Sequence, residues 1–275
     1  MACFHLYDQS GVERMTAAGS SEALPLPFHP VEAVLDAHGK DLRSLDATTI
    51  AVWGVTLDGP QGCRDRCQQY LSDEERARAD RCIRDEDRQR YIFAHGSLRV
   101  LLGHYLNIEP GAVTLQLGPA GKPVLCEKTH GSDVTFNLSH AHGRALIAIV
   151  QGQEIGVDLE RIRQDVEAEK LSKRYFAPAE QATIMQSAQA QRSAMFFRYW
   201  VAKEAVLKAQ GVGLRALSQC EVLMAADGAG AEVLGSAGSL RRDSWTIRFL
   251  SCGEGWEAAV AAQGKDWAMR CGLVR

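Results

Sequence analysis

Residues 196–208 constrain the fold more tightly than any other stretch of this chain. Phe196, Trp200, Val201 and Leu207 recur at helical spacing, and no Gly or Pro intervenes before Gly211. The run is therefore predicted to be a helix with one apolar side buried. Lys203, Glu204 and Lys208 are carried on it. Glu204 and Lys208 are four residues apart and share a face, with Trp200 four residues before Glu204 on the same side. A carboxylate and an amine beside an indole mark a site at the edge of a core. The plainer alternative is a surface ion pair, which contributes little.

Residues 155–160 are predicted to form a strand. Ile155, Val157 and Leu159 share one face, and Asp158 and Glu160 share the other. The preceding strand, residues 145–150, is joined to it by Gln151-Gly152-Gln153, so the pair is expected to be a hairpin. Two acids at i and i+2 repel unless something positive lies between them. A hard cation with oxygen ligands suits them, and Mg2+ takes one or two carboxylates together with phosphate oxygens and water. Glu204 would make a third carboxylate if strand and helix pack together.

Composition narrows the classes. The chain has 275 residues, 46% hydrophobic and 24% charged, enough for one large or two modest globular units. A net charge of −3 gives no reason to expect nucleic-acid binding. Of the eight Cys only Cys63 and Cys67 are close together, and no second pair completes a zinc pattern. Scattered cysteines without a secretory signal pattern fit a reducing cytoplasm, and no apolar run approaches the roughly 18 residues that span a bilayer.

Along the chain, residues 1–47 are read as an N-terminal extension laid over the first unit. Within it, 24–30 is held extended by its prolines, and 31–38 is a short helix. Residues 48–57 are a strand by β-branched content. A helix then starts after Ser72, the expected N-cap, with Glu75 completing a capping box. This helix is Arg-rich (Arg76, Arg78, Arg81, Arg84, Arg88, Arg90), and a second helix covers 91–106 and carries Arg99. Strands are expected near 220–225, 245–251, 256–262 and 267–273, with 227–239 a flexible Gly/Ala/Ser-rich loop. The halves echo each other. A shift of about 105 residues sets Glu75 on Glu180 and Arg99 on Glu204, and in each half a strand is followed by a capped helix and an aromatic-bearing helix. A duplicated unit with a cleft between its copies follows. The metal positions fall in the second copy alone, giving one site per chain.

Four motifs occur in order: Gly121-Lys122-Pro123, then Phe136-Asn137-Leu138-Ser139-His140, then Gly156-Val157-Asp158-Leu159-Glu160, then the helix from Trp200 to Lys208. In this order and spacing the chain resembles the 4′-phosphopantetheinyl transferase superfamily, in its two-lobed type that activates surfactin synthetase. The resemblance runs from about Ile50 to about Val260. It implies an α+β fold of two similar lobes, each with a small antiparallel sheet and a long helix, related by a pseudo-twofold axis. The lobes would be residues 48–152 and 153–275, following the extension of 1–47. It implies transfer of the phosphopantetheine arm of coenzyme A to a serine of an apo acyl, peptidyl or aryl carrier protein, by a cytoplasmic monomer with no membrane or nucleic-acid partner. Asp158, Glu160 and Glu204 would hold Mg2+, or Mn2+ in its place. Glu204 would take the serine proton directly or through water, and Lys208 and Lys203 would place positive charge on the pyrophosphate. Lys122, Ser139 and His140 would bind the coenzyme's phosphates, and Arg78 and Arg90 its adenosine bisphosphate end. The chain departs from the family pattern at Glu75, where a basic residue is expected, and at Leu159, between the metal acids. Two other readings use the same residues: a magnesium-dependent phosphohydrolase acting on a nucleotide, and a non-catalytic carrier-protein binder, against which the three acids argue.

Overall fold

The computed structural model describes residues 23–37, 45, 48–236 and 244–272. It opens with β1 (Leu24–Pro25), β2 (Phe28–Pro30) and α1 (Val31–Asp36), followed by β3 (Thr49–Thr56). Three helices come next: α2 (Gln61–Tyr70), α3 (Asp73–Asp80) and the long α4 (Asp85–Leu106). The small hairpin of β4 (Leu115–Leu117) and β5 (Pro123–Leu125) and the short α5 (Glu127–His130) lead into β6 (Val134–Ala141), β7 (Arg144–Gln151) and β8 (Ile155–Arg161). Then come α6 (Ala168–Tyr175), α7 (Pro178–Gln186) and α8 (Arg192–Gln210). Last are β9 (Cys220–Met224), β10 (Gly230–Ser236), β11 (Trp245–Ser251), β12 (Trp256–Gln263) and β13 (Ala268–Cys271). The class is α+β, as expected.

One sheet has the order β13-β3-β7-β6, with β2 also pairing β3, and the other runs β8-β12-β11-β10-β9, with β1 also pairing β11. On the first sheet Trp53, Val55, Ile147, Ile149 and Phe136 share a core with Phe93, Leu98 and Leu101 of α4. On the second, Ile247, Phe249, Ala259 and Ala261 pack with Val201, Ala205 and Val206 of α8. A third core lies between the sheets, where Ile50, Val52, Leu146 and Ala148 meet Val157, Leu159, Val260 and Ala262. β3 and β7 are thus buried on both faces, which is why they read as nearly continuous apolar runs.

The structure corrects several expectations. β7 and β8 are not a hairpin: β7 takes β3 and β6 on its two edges, and β8 pairs with β12. The connection through Gly152, at φ 72°, carries the chain from one sheet to the other. The expected loop at 227–239 contains β10, which is paired with both β9 and β11, so ladder bonds outweigh its weak strand propensity (237–239 lie outside the described residues). β13 joins the first sheet beside β3 rather than the second. The second helix begins at Asp85, six residues before Tyr91, and α2 carried no pattern that had marked it. The extended stretch at 24–30 and the helix after it form as expected. Most of the rest of 1–47 lies outside the described residues.

Candidate active site

The site depends on how closely α8 lies on β8, and Gly156 makes that approach possible. A Cβ on Gly156 would stand 1.9 Å from the Ala205 carbonyl oxygen and 2.5 Å from the Ala209 nitrogen. Asp158 follows two residues later and is 3% exposed. Its Oδ1 accepts from Lys208 Nζ at 2.6 Å and from Ser139 Oγ at 2.9 Å. Lys208 also reaches Ser139 Oγ at 3.0 Å. Asp158 Oδ2 is buried with no hydrogen-bond partner.

β6 holds the edge of β8 through side chains rather than a ladder. Asn137 Oδ1 accepts from Val157 N at 2.9 Å, and Ser139 Oγ accepts from Leu159 N at 3.3 Å. The Asn-Leu-Ser triplet thus fixes the strand that carries Asp158. Asn137 drew no role from the sequence, because the spacing shows only that it shares a face with Ser139.

Glu204 is buried and Glu160 half-buried. Burial, and then the charge of Asp158, pushes both up to about 7; Lys208 pulls Glu204 back, and Glu160 adds to its rise. The three carboxylates therefore feel one another. Among the described residues, however, no group of three or more His, Cys, Asp or Glu side chains is gathered closely enough to hold a metal ion. Lys208 stands against the oxygen of Asp158 that faces it. An all-oxygen donor set with one buried, unpartnered carboxylate oxygen still suits a hard divalent cation.

Beside this cluster opens a cleft of about 870 Å³. Arg84, Arg90 and Tyr91 come from the α3–α4 side, His140, His142 and Arg144 from β6, β7 and their turn, and Arg161 and Trp256 from β8 and β12. Arg161 directly follows Glu160. Gly143 keeps the floor open, since a Cβ there would stand 3.0 Å from Asp58 Oδ2 and 3.6 Å from an Arg90 nitrogen. Arg90 is held by Glu86 at 2.5 Å. His140 reaches solvent yet is crowded by protein atoms, and that desolvation, with the charges of His95 and Lys208, lowers it to about 4, so it is neutral near pH 7.

Of the predicted residues, Arg90 and His140 meet in the cleft, and Asp158, Ser139 and Lys208 meet beside it. Arg78 is exposed on α3, close to the cleft residue Tyr91. Two lysines are placed elsewhere. Lys203 is fully buried against Glu180 Oε2 at 2.6 Å and donates to the Tyr175 carbonyl, so it does not face the acids. Lys122 donates to Glu154, Ile155 O and Ala209 O, and lines a different pocket at the other end of β6 from His140. Glu75 is the cap it was read as, bonded to Ser72 N at 2.9 Å, and it also neutralises buried Arg99 at 2.6 Å. Arg144, Arg161 and Trp256 were missed. They come from three strands, and no local pattern marks them.

Residues 154–261 match the model of the 4′-phosphopantetheinyl transferase superfamily, and residues 65–151 match that of the 4′-phosphopantetheinyl transferase N-terminal region. The chain is similar to the 4′-phosphopantetheinyl transferase HetI of Nostoc sp., with 35% identity over 218 residues covering 79% of this chain and 89% of that protein. It is similar to a putative 4′-phosphopantetheinyl transferase of Synechocystis sp., with 38% identity over 147 residues, 54% of this chain and 59% of that protein. To the 4′-phosphopantetheinyl transferase Sfp of Bacillus subtilis it is 26% identical over 165 residues, 59% of this chain and 71% of that protein.

Proposed function

The chain belongs to the 4′-phosphopantetheinyl transferase superfamily and is an enzyme that transfers phosphopantetheine to carrier proteins; we propose how its own residues carry this out. The cleft takes the nucleotide end of coenzyme A, and the acids beside it act on the pyrophosphate. The serine hydroxyl of the carrier attacks the β-phosphate, its proton leaves, and adenosine 3′,5′-bisphosphate departs. Such a transfer depends on alignment and charge neutralisation more than on covalent help.

One observation carries this reading: a buried carboxylate, Asp158, with one oxygen held by Lys208 and Ser139 and the other unpartnered, beside two further carboxylates and a cleft in which four arginines and two histidines outnumber the carboxylates of Asp58, Glu86 and Asp87. Asp158, Glu160 and Glu204 would hold Mg2+ or Mn2+, which supplies charge neutralisation at the pyrophosphate oxygens. Lys208 is placed to turn from Asp158 to a phosphate oxygen. Glu204 would take the serine proton, directly or through water; its buried position on the helix packed against β8 supports this. Neutral His140 offers a ring N–H to a phosphate, and Arg90 a guanidinium fork, with Arg78 nearby.

The repeated arrangement of a capping Glu bonded to a buried cation on the following long helix, Glu75 with Arg99 and Glu180 with Lys203, supports two related lobes. We assign them to residues 48–152 and 153–275, the second lending β13 to the sheet of the first, with 1–47 as an extension. Seven free cysteines among the described residues suit a reducing cytoplasm, and no helix among the described residues is long and apolar enough to cross a membrane. We place the chain there as a monomer acting on fatty-acid, polyketide or non-ribosomal peptide carriers.

Mass spectrometry of a panel of apo carriers incubated with coenzyme A and Mg2+ tests this. At least one carrier should gain the mass of a single phosphopantetheine, and the Glu204→Gln chain should do so at least about a hundredfold more slowly. Coenzyme A cleavage with every carrier left unmodified would contradict transfer and favour a hydrolase.

A further inference from the structure

The two sheets meet along an internal core, but one short segment is also stitched into both. β1 pairs in parallel with β11 of the second sheet, Leu24 opposite Leu250. Leu26 N then donates to Ser251 O at 3.0 Å. Three residues after β1, β2 pairs in parallel with β3 of the first sheet, Phe28 opposite Gly54. The crossing is seated rather than loosely draped. Leu24 and Leu26 are 7% and 6% exposed, within the core between the sheets. His29 Nε2 lies 2.8 Å from Gly272 O.

Gly54 shows that β3 is shaped to receive this segment. A Cβ there would stand 2.6 Å from the Pro27 carbonyl oxygen and 3.1 Å from the Phe28 ring. Gly54 lies inside a strand and has no positive φ, so turn geometry does not call for it. The close passage of the segment does.

The segment ends on the wall of the cleft. The Arg144 guanidinium lies 4.6 Å from the centre of the Phe28 ring and 4.5 Å from that of Trp256. Arg144 Nη1 also donates to Cys252 O, between β11 and β12. Arg144 and Trp256 both line the cleft, and the His142 ring stands edge-on to Trp256 at 6.3 Å. Arg144 belongs to the first sheet and Trp256 to the second, so this contact sets how the two walls face each other, and Phe28 holds it from behind.

We propose that residues 24–30 form a strap that fixes the width of the coenzyme A cleft, with Phe28 as a positioning residue acting through Arg144 and Trp256. The inference rests on the cleft being the coenzyme A site. Without the Phe28 ring Arg144 loses one of its two aromatic contacts, it is held against Trp256 from one side alone, and this wall is less ordered before the ligand arrives. The effect belongs to binding, because Phe28 touches none of the reacting groups.

The test compares the full chain with Phe28→Ala, Phe28→Tyr and Gly54→Ala, measuring coenzyme A binding by titration calorimetry and steady-state transfer to one apo carrier. Phe28→Ala should raise the Kd and KM for coenzyme A roughly three- to tenfold, the range expected for one cation–π contact. The kcat and the KM for the carrier should stay within about twofold of the unmodified chain. Phe28→Tyr, which keeps the ring, should restore coenzyme A binding. Gly54→Ala pushes the strap off β3 without touching the cleft and should shift coenzyme A affinity in the same direction as Phe28→Ala. A purely structural role would lower the melting temperature and the active fraction but leave the Kd and KM of the folded enzyme unchanged. That result, with the unmodified chain binding coenzyme A, overturns the strap alone. Failure of the unmodified chain to bind coenzyme A overturns the cleft assignment and the strap with it.

Discussion

Asp158 binds Lys208 and Ser139 through one oxygen and nothing through the other, and burial, and then its charge, raises both neighbouring glutamates. A pH dependence of stability follows. Glu160 and Glu204 are held up to about 7 from the usual 4.5, so between those values the folded chain keeps protons that the unfolded chain has released. Their contribution to stability therefore falls as pH rises from about 4.5 to about 7 and is flat above. Denaturant melts of metal-stripped protein should show this decline, and saturating Mg2+ should largely remove it. Stability of the stripped protein that rises over that interval in step with these two groups would contradict the account. That Asp158 shares a face with Glu160, and Glu204 with Lys208, was legible in the sequence, because periods of two and four residues fix which side chains share a face; that the strand and the helix meet was not, since no local period states it. The places of Lys203 and Lys122 were not read. A helical wheel turns Lys203 about 100° away from Glu204, so that signal was present. Lys122 sits in a turn, where no periodicity states its direction.

At the level of elements, the pairing of β8 with α8 brings the acids near one another, and Gly156 sets its closeness. Gly156→Ala would drive a methyl into the α8 backbone, 1.9 Å from Ala205 O and 2.5 Å from Ala209 N. The helix must move outward, taking Glu204 and Lys208 away from Asp158. We expect a stability loss of roughly 1–3 kcal/mol in denaturant melts, with transfer reduced in the protein that remains folded. Undiminished stability and activity would mean that the two elements are not held as closely as described. Single elements were well marked in the sequence: the Ser72–Glu75 capping box, the Gly211 stop at φ 65° and the alternation in β8. Pairing was less legible. The Gln151–Gln153 connection carries hairpin-like residues, yet β7 has both edges filled by β3 and β6. Edge occupancy is a tertiary property that a two-strand window does not contain.

At the scale of the whole molecule, the cleft draws its walls from α3–α4, β6–β7, β8 and β12, and the strap and β13 cross the simple division of the chain into a first and a second half. The echo between the halves led to the expectation of a cleft, but Arg144, Arg161 and Trp256 become neighbours only when two sheets stack. The sequence echo set Arg99 on Glu204, but the ion pairs match Arg99 with Lys203 instead. Glu75 with Arg99 recurs as Glu180 with Lys203, while Glu204 sits one residue further along α8. The central claim is that Asp158, Glu160 and Glu204, borne by two elements, act on one divalent ion beside bound coenzyme A. Counting Mn2+ bound per chain by electron paramagnetic resonance, with coenzyme A present, tests it most directly. The account predicts a single ion for the unmodified chain and none at the same free Mn2+ for Asp158→Asn; an Asp158→Asn chain that still binds one ion with unchanged affinity would contradict it.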